Sequence, residues 1–352
     1  MAGGIGSRFW PINSNTKPKQ FLDLLGMGQS MLQTTFYRFE QICPRQNIII
    51  VTGESMVDQV RQQIPDLLPY QVLAEPMRRN TAPCIAYAAA IINEINPNAN
   101  VIVTPSDHAI FGNHRFEQNI TDAVAICDRY DWIITMGAQP TNPNTKYGYI
   151  QFADDPSLSN ARNLHKVVTF TEKPPVEMAR KFIASGEFFW NAGIFIWSLP
   201  VLMDAYRQFL PDIADSFFKL GADTPRAELS KVYTASEAVS VDVGIMEKAS
   251  NVHVMEAAFG WSDVETWDSL YNTLPKDAEG NAAASGNVLA YESNNCMVHV
   301  PMGTTAVIDG LDSYIVTLAN NKLLICPRSH EDYLVKYAAD LQLLNDKKNN
   351  KR

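Results

Sequence analysis

No stretch of this 352-residue chain supplies the run of about eighteen apolar residues that a bilayer-spanning helix needs. Positive charge is in short supply: 29 Lys and Arg stand against 38 Asp and Glu, a formal net charge of -9. That balance argues against a general nucleic-acid surface and obliges an anionic ligand to find a local basic pocket. Cysteine is scarce and odd in number, with Cys43, Cys84, Cys127, Cys296 and Cys326 scattered and no C-x-x-C pair. A disulfide framework and a zinc ribbon are thereby excluded, and free thiols in a reducing cytosol are expected. The start has no basic segment leading into an apolar core, so no secretory signal is expected and the expected location is cytoplasmic. Nucleophile and kinase signatures are missing as well: there is no G-x-S-x-G elbow, no H-R-D or D-F-G set and no evident Cys-His pair.

What remains is globular in texture, with 46% hydrophobic and 19% charged residues. Between residues 31 and 137, helices at 31–41, 55–64, 81–95 and 114–129 alternate with strands at 47–51, 71–74, 100–104 and 131–137. Short apolar strands separated by helices predict βαβ units and a mostly parallel sheet, in which ligands sit at the carboxyl ends of strands. From 138 to 275 the pattern is less regular, with strands in "TKYGYIQF" and "HKVVTFTEKP" and helices near 175–185 and 199–219, read as insertions on the same sheet. After Gly280, strands of four to six residues recur about every nine residues and predict a small all-β domain, a short β-solenoid or stacked hairpins, before a last helix at about 330–344.

Several stretches carry groups suited to phosphate chemistry. In "GGIGSRFWP" followed by "KPKQF", Gly3, Gly4 and Gly6 allow close backbone approach, while Arg8 and Lys19 add charge. The loop is no Walker motif, because no G-K-[ST] closes it, and a plain glycine-rich turn is the alternative reading. In "LAEPMRRNTAPC" a strand ends and an alanine-rich helix begins, with Asn80 or Thr81 as cap and Pro83 in the first turn. Capping alone accounts for Asn80 and Thr81, but not for Glu75, Arg78 and Arg79 in the same short turn. "VIVTPSDHAI" puts Ser106, Asp107 and His108 after another strand, where a carboxylate can serve Mg²⁺ or merely form a turn, and where His108 lacks a zinc-spaced partner. Glu172 and Lys173 in "TFTEKPP" and Asn191 in "FWNAGIFIW" suit a sugar phosphate, and Asp263 in "GWSDVETW" supplies a second carboxylate. Together these favour phosphoryl or nucleotidyl transfer without a covalent enzyme intermediate.

In this order, "GGIGSRFWP…KPKQF", "EPMRRNTAP", "PSDH", "YGYI", "FTEKP", "WNAGIF", "VDVGIMEK" and "GWSDVETW" resemble the mannose-1-phosphate guanylyltransferases over nearly the whole chain. The resemblance implies an α/β fold: a glycosyltransferase-A-like, Rossmann-like nucleotidyltransferase domain over 1–278 with a mixed, mostly parallel sheet, and a left-handed β-helix with a terminal helix over 279–352. It implies transfer of GMP from GTP to mannose 1-phosphate, giving GDP-mannose and pyrophosphate, with Mg²⁺ and as a homodimer. Carried across, it gives Gly3, Gly4, Gly6, Ser7 and Ser106 to the nucleotide, with Arg8 and Lys19 stabilising charge on the α-phosphorus and the departing pyrophosphate. It gives Arg79, Asn80, Thr81, Ala82 and Pro83 to the guanine and Glu75 to the nucleotide, Asp107 and Asp263 to the metal, and Gly148, Glu172, Lys173, Asn191 and Asp242 to the sugar phosphate.

Two departures stand out. Glu265 occupies the place where the family has glycine, crowding or recharging the Asp263 loop. The glycine loop follows only Met1 and Ala2, so a short apolar extension upstream of Met1 is expected in the native polypeptide; no cupin-like isomerase domain follows the β-helix, so only transferase activity is implied. Alternative readings are another hexose-1-phosphate nucleotidyltransferase and a catalytically silent GDP-mannose-binding regulatory subunit.

Overall fold

The computed structural model describes residues 1–4, 8–14, 16–154 and 163–349, the last five by backbone only. Gly6 and Ser7 therefore lie outside the described residues. By contact the chain divides into two units. The first comprises Met1–Gly3, Tyr37–Pro105 and Ile110–Trp261; the second comprises Gly4–Phe36, Ser106–Ala109 and Ser262–Arg352. This division differs from one by chain order at 278.

In chain order the elements begin with α1 (Met31–Phe39), β1 (Ile50–Gly53), α2 (Val57–Gln63), β2 (Val72–Glu75), α3 (Thr81–Ile95), β3 (Asn100–Val103), β4 (Ala109–Phe111), α4 (Asn113–Cys127) and β5 (Ile133–Ala138). They continue with β6 (Tyr149–Ala153), β7 (Leu164–Thr171), α5 (Val176–Ser185), β8 (Phe188–Ser198), α6 (Leu199–Phe209), α7 (Pro211–Phe217) and α8 (Arg226–Ala235). After a π-helical turn at Asp242–Met246 come β9 (Val252–Glu256), β10 (Gly260–Ser262) and α9 (Trp267–Thr273).

The helix expected at 81–95 has those bounds, and the one expected at 199–219 is two helices divided at Leu210, where Pro211 opens α7. The main sheet of the first unit has order β3-β8-β5-β9-β7-β6. It is mixed, but the expectation of mostly parallel pairing is corrected: among the described residues β5–β9 is the only parallel pairing in it, and β1–β2 is a separate parallel pair. The eleven-residue β8 runs opposite to both β3 and β5 and separates them, while β6 and β7 form an antiparallel pair. Apolar periodicity reports that a segment is a strand and is silent on its direction.

Alternation along the strands covers both faces of that sheet. Ile133, Phe195 and Trp197 pack with residues of α3, α6, α7 and α8, whereas Ile134, Met136, Ile194 and Ile196 pack with Phe116 and Ile120 of α4. Met1 and Ala2 lie among the strands: the Met1 amine donates to the Thr104 carbonyl at 2.8 Å and the Ala2 amide to the Val51 carbonyl at 2.8 Å.

The second unit contains β11 (Ala282–Ala283), β12 (Asn287–Tyr291), β13 (Met297–His299), β14 (Thr305–Asp309), β15 (Tyr314–Ala319), β16 (Lys322–Pro327) and α10 (Leu334–Asn349). β11, β13 and β15 pair in parallel in one sheet and β12 and β14 in another, with β16 antiparallel on β15. Asn287 pairs with Thr305 and Met297 with Ile315, each partner eighteen residues further on. The nine-residue spacing of the sequence is thus half of an eighteen-residue period, successive strands from β11 to β15 falling in alternate sheets and β16 folding back on β15. Phe9, Leu22, Leu24, Trp267, Leu270, Met297 and Ile315 share this unit's core. Among the described residues no helix is long and apolar enough to cross a membrane.

Candidate active site

In the second unit the site residues gather around Lys19. The "KPKQF" stretch closes as a short turn at Lys19–Phe21, in which Lys19 is 5% exposed. Its ammonium donates to Asp107 Oδ2 at 3.1 Å and to the main-chain oxygen of Asp263. A buried ammonium needs such partners, and here they are the two segments expected to hold a metal. Burial pushes the Asp107 carboxyl up, but the nearby Lys19 and His108 charges outweigh it and hold the group below the usual carboxylate range. The His108 ring nitrogen stands 4.0 Å from Asp107 Oδ1, so this histidine contributes to the site's electrostatics. Ser106 is buried and its hydroxyl has no hydrogen-bond partner among the described residues.

Asp263 sits in a fixed turn: its Oδ1 accepts from the Glu265 amide at 3.1 Å, Val264 is fully buried with φ of 45°, and Thr266 caps α9. The departure at Glu265 has a definite consequence, because its carboxylate forms an ion pair with the Arg8 guanidinium. Gly4 is exposed, and its carbonyl accepts from Gln20 at 3.0 Å.

Lys19 thus joins the Asp107 carboxylate to the Asp263 backbone, and the two aspartates are hard oxygen donors of the kind that suits Mg²⁺, which takes one or two protein carboxylates and completes its shell with phosphate and water. The orphaned Ser106 hydroxyl adds a polar atom beside them. No cluster of three or more His, Cys, Asp and Glu fit for a metal occurs among the described residues.

In the first unit a second group lies at the end of β2 and the start of α3. Glu75 is 8% exposed and accepts from the Tyr233 hydroxyl at 3.1 Å; burial pushes its carboxyl up to about 7. Gly3 lies against it, since a Cβ there would stand 3.6 Å from Glu75 Oε2. The Arg79 guanidinium donates to the Tyr233 and Thr234 carbonyls at 2.8 and 3.1 Å, at the end of α8. Those carbonyls are the negative pole of the helix. Asn80, with φ of 69°, caps α3 by accepting from the Thr81 amide at 2.9 Å. The Thr81 hydroxyl accepts from the Val241 amide at 2.9 Å, the Ala82 amide donates to Val239, and Pro83 is buried in the first turn. Tyr233 is the participant that sequence reading missed: it is 158 positions from Glu75, on a helix without a motif.

A third group, also in the first unit, joins β6, β7, β8 and the π-helical turn. Asn191 Oδ1 accepts from the Gly193 amide at 3.0 Å and the Thr135 hydroxyl at 3.4 Å, while Nδ2 donates to Asp242 at 2.8 Å. Its amide orientation is thereby fixed, with the oxygen taken by Gly193 and Thr135 and the nitrogen turned to Asp242. Burial and the neighbouring Glu172 charge push Asp242 up to about 6. Lys173, at φ of 47°, pairs with Glu172. Gly148 leaves room for Glu172: a Cβ there would lie 2.7 Å from Glu172 Oε2 and 3.3 Å from Asn191 Cβ.

Comparison with known proteins decides the family. Residues 1–280 match the family described as nucleotidyl transferase. The chain belongs to the nucleotidyl transferase family. It is 32% identical over 333 residues to the xanthan biosynthesis protein XanB of Xanthomonas campestris pv. campestris (strain B100), covering 92% of this chain and 68% of XanB. It is 31% identical over 363 residues to the mannose-1-phosphate guanylyltransferase of Klebsiella pneumoniae, covering 100% of this chain and 75% of that one. A crystal structure from Thermus thermophilus, described as a mannose-1-phosphate geranyltransferase, matches with a TM-score of 0.86 at 25% identity, over 97% of this chain and 98% of the other. This nucleotidyl transferase thus shares the fold of known sugar nucleotidyltransferases.

Proposed function

We propose that this nucleotidyl transferase is a mannose-1-phosphate guanylyltransferase, which transfers GMP from GTP to mannose 1-phosphate and releases pyrophosphate. The observation that carries the reading is Lys19, a buried ammonium bonded to both Asp107 and Asp263. Similarity at 31% identity to a named mannose-1-phosphate guanylyltransferase along the whole chain supports the substrate pair.

On this reading Gly3 and Gly4 meet the triphosphate through backbone amides, while Arg8 and Lys19 stabilise charge on the α-phosphate and the leaving pyrophosphate. Ser106, Glu75 and the Arg79–Pro83 segment would serve the nucleotide, with the Glu75 carboxylate suited to the N–H edge of a guanine. Gly148, Glu172, Lys173, Asn191 and Asp242 would hold the sugar phosphate: Glu172 accepts from hydroxyls, Asn191 donates to them, and Lys173 meets the phosphate. Asp107 and Asp263 would hold Mg²⁺. The chemistry such an ion supplies there is neutralisation of phosphate charge. The mannose phosphate oxygen attacks the α-phosphorus in line with the departing pyrophosphate, so the residues act chiefly by positioning and electrostatics.

We further propose that 1–278 is the catalytic domain and that 279–352 is a left-handed β-helix. The eighteen-residue parallel register of β12 with β14 and of β13 with β15 supports a solenoid with that coil length. A homodimeric, cytoplasmic enzyme completes the proposal. Purified protein given GTP, mannose 1-phosphate and Mg²⁺ is expected to release pyrophosphate and form GDP-mannose. No product from folded protein would overturn the reading, and turnover only with another nucleotide or sugar phosphate would redirect it.

A further inference from the structure

We infer that Glu265 is a built-in counter-ion of Arg8, which the nucleotide phosphates must displace, and that it thereby sets nucleotide affinity. The inference rests on the proposed role of Arg8 at the triphosphate.

The Arg8 guanidinium and the Glu265 carboxylate form an ion pair whose side chains remain 46% and 39% exposed. A pair so open to water exchanges partners readily and contributes little to stability. Glu265 is nevertheless held in reach of Arg8. Its amide is bound to Asp263 Oδ1, the preceding Val264 is fully buried, and the following Thr266 is fixed by its exchange of hydrogen bonds with Ser269. The Glu265 backbone is thus held, while its side chain remains partly open to water.

A guanidinium presents the same planar fork to a carboxylate as to a phosphate, so the two compete for one set of donors. While Glu265 is seated, Arg8 is neutralised and the carboxylate adds repulsion towards an incoming polyanion. Nucleotide binding therefore includes the loss of the Arg8–Glu265 pair, and the observed affinity is lower than the loop's own by that amount. The pair also keeps an exposed arginine from binding unrelated anions, so discrimination falls to ligands with enough charge to displace it.

The test is equilibrium binding of GTP without divalent metal at low ionic strength, for the wild type, Glu265→Gln, Arg8→Gln and the double variant. Glu265→Gln is expected to tighten binding about threefold to fivefold, the scale of one exposed ion pair. The gain is expected to vanish in the Arg8→Gln background and to shrink at about 0.5 M salt, where exposed charges are screened. Glu265→Ala is the second variant and should reproduce the gain, with thermal melting reporting that both are folded. Equal or weaker binding by both variants would overturn the inference, as would an equal gain without Arg8, which would make the effect one of net charge. No GTP binding by any form, with or without Mg²⁺, would instead overturn the underlying reading and the inference with it.

Discussion

The Lys19 ammonium lies 3.1 Å from Asp107 Oδ2 and donates at the same time to the main-chain oxygen of Asp263, so one buried cation ties together two loops 156 positions apart. Replacing it with Lys19→Met leaves the half-buried Asp107 carboxylate without its main partner. Turnover is expected to fall at least about tenfold, the scale of a lost charge contact of ~1.4 kcal/mol or more. Pyrophosphate release, read beside a melting curve, separates lost catalysis from lost folding; a rate within about twofold of the wild type would remove Lys19 from the mechanism.

Gly148 offers a steric test of the sugar-phosphate group. A methyl at this position would stand 2.7 Å from Glu172 Oε2, and the carboxylate must turn away to admit it. Gly148→Ala is expected to raise the KM for mannose 1-phosphate by about tenfold and to leave the KM for GTP nearly unchanged, because only one substrate loses its acceptor. Equal effects on both constants would count against Glu172 as a sugar ligand.

Glu75 carries a pH signature. Burial raises its carboxyl from the ordinary 4.5 to about 7, so the folded state prefers the protonated form. The associated stability is fully present below about pH 4.5, declines as pH rises, and is lost above about pH 7. Glu75→Gln, which cannot ionise, is expected to flatten this part of the stability profile. Melting temperatures measured across that window check it, and an unchanged slope would refute the assignment.

His299 gives the opposite slope in the second unit. Its ring is buried, its Nε2 stands 3.4 Å from the Asp23 carbonyl, and burial lowers its pKa from the ordinary 6.5. The fold therefore favours the neutral ring, and the stability it confers is present above about pH 6.5 and lost as pH falls below that value. His299→Gln should remove this part of the acid sensitivity, as read by unfolding at pH values on either side. Wild-type sensitivity retained in the variant would place the titrating group elsewhere.

Much of the architecture was legible because it is local. The cap at Asn80, Pro83 in the first turn and the alanine-rich run behind them mark α3 without reference to any other part of the chain. The glycine loop, Asp107 just after β3 and Asp263 between two tryptophans could be singled out as candidates by residue type, and the family resemblance is what joined them into an ordered set. The nine-residue rhythm after Gly280 announced an all-β region, though its folding into alternating sheets with an eighteen-residue register was not visible in it.

Other features depend on which distant groups meet. The direction of β8 between β3 and β5, the Tyr233 hydroxyl on Glu75 and the capture of Arg8 by Glu265 join positions separated by up to 257 residues. The sequence by itself determined the kinds of segment, the residue types available for phosphate chemistry and the nucleotidyltransferase resemblance, because periodicity, capping and motif spacing act within a few turns of chain. Only the tertiary structure decided strand direction, the orientation of the Asn191 amide and the ion pair on Arg8. Partner choice is settled by burial and charge satisfaction in three dimensions, and no local pattern encodes which far residue will supply the missing hydrogen bond or counter-charge.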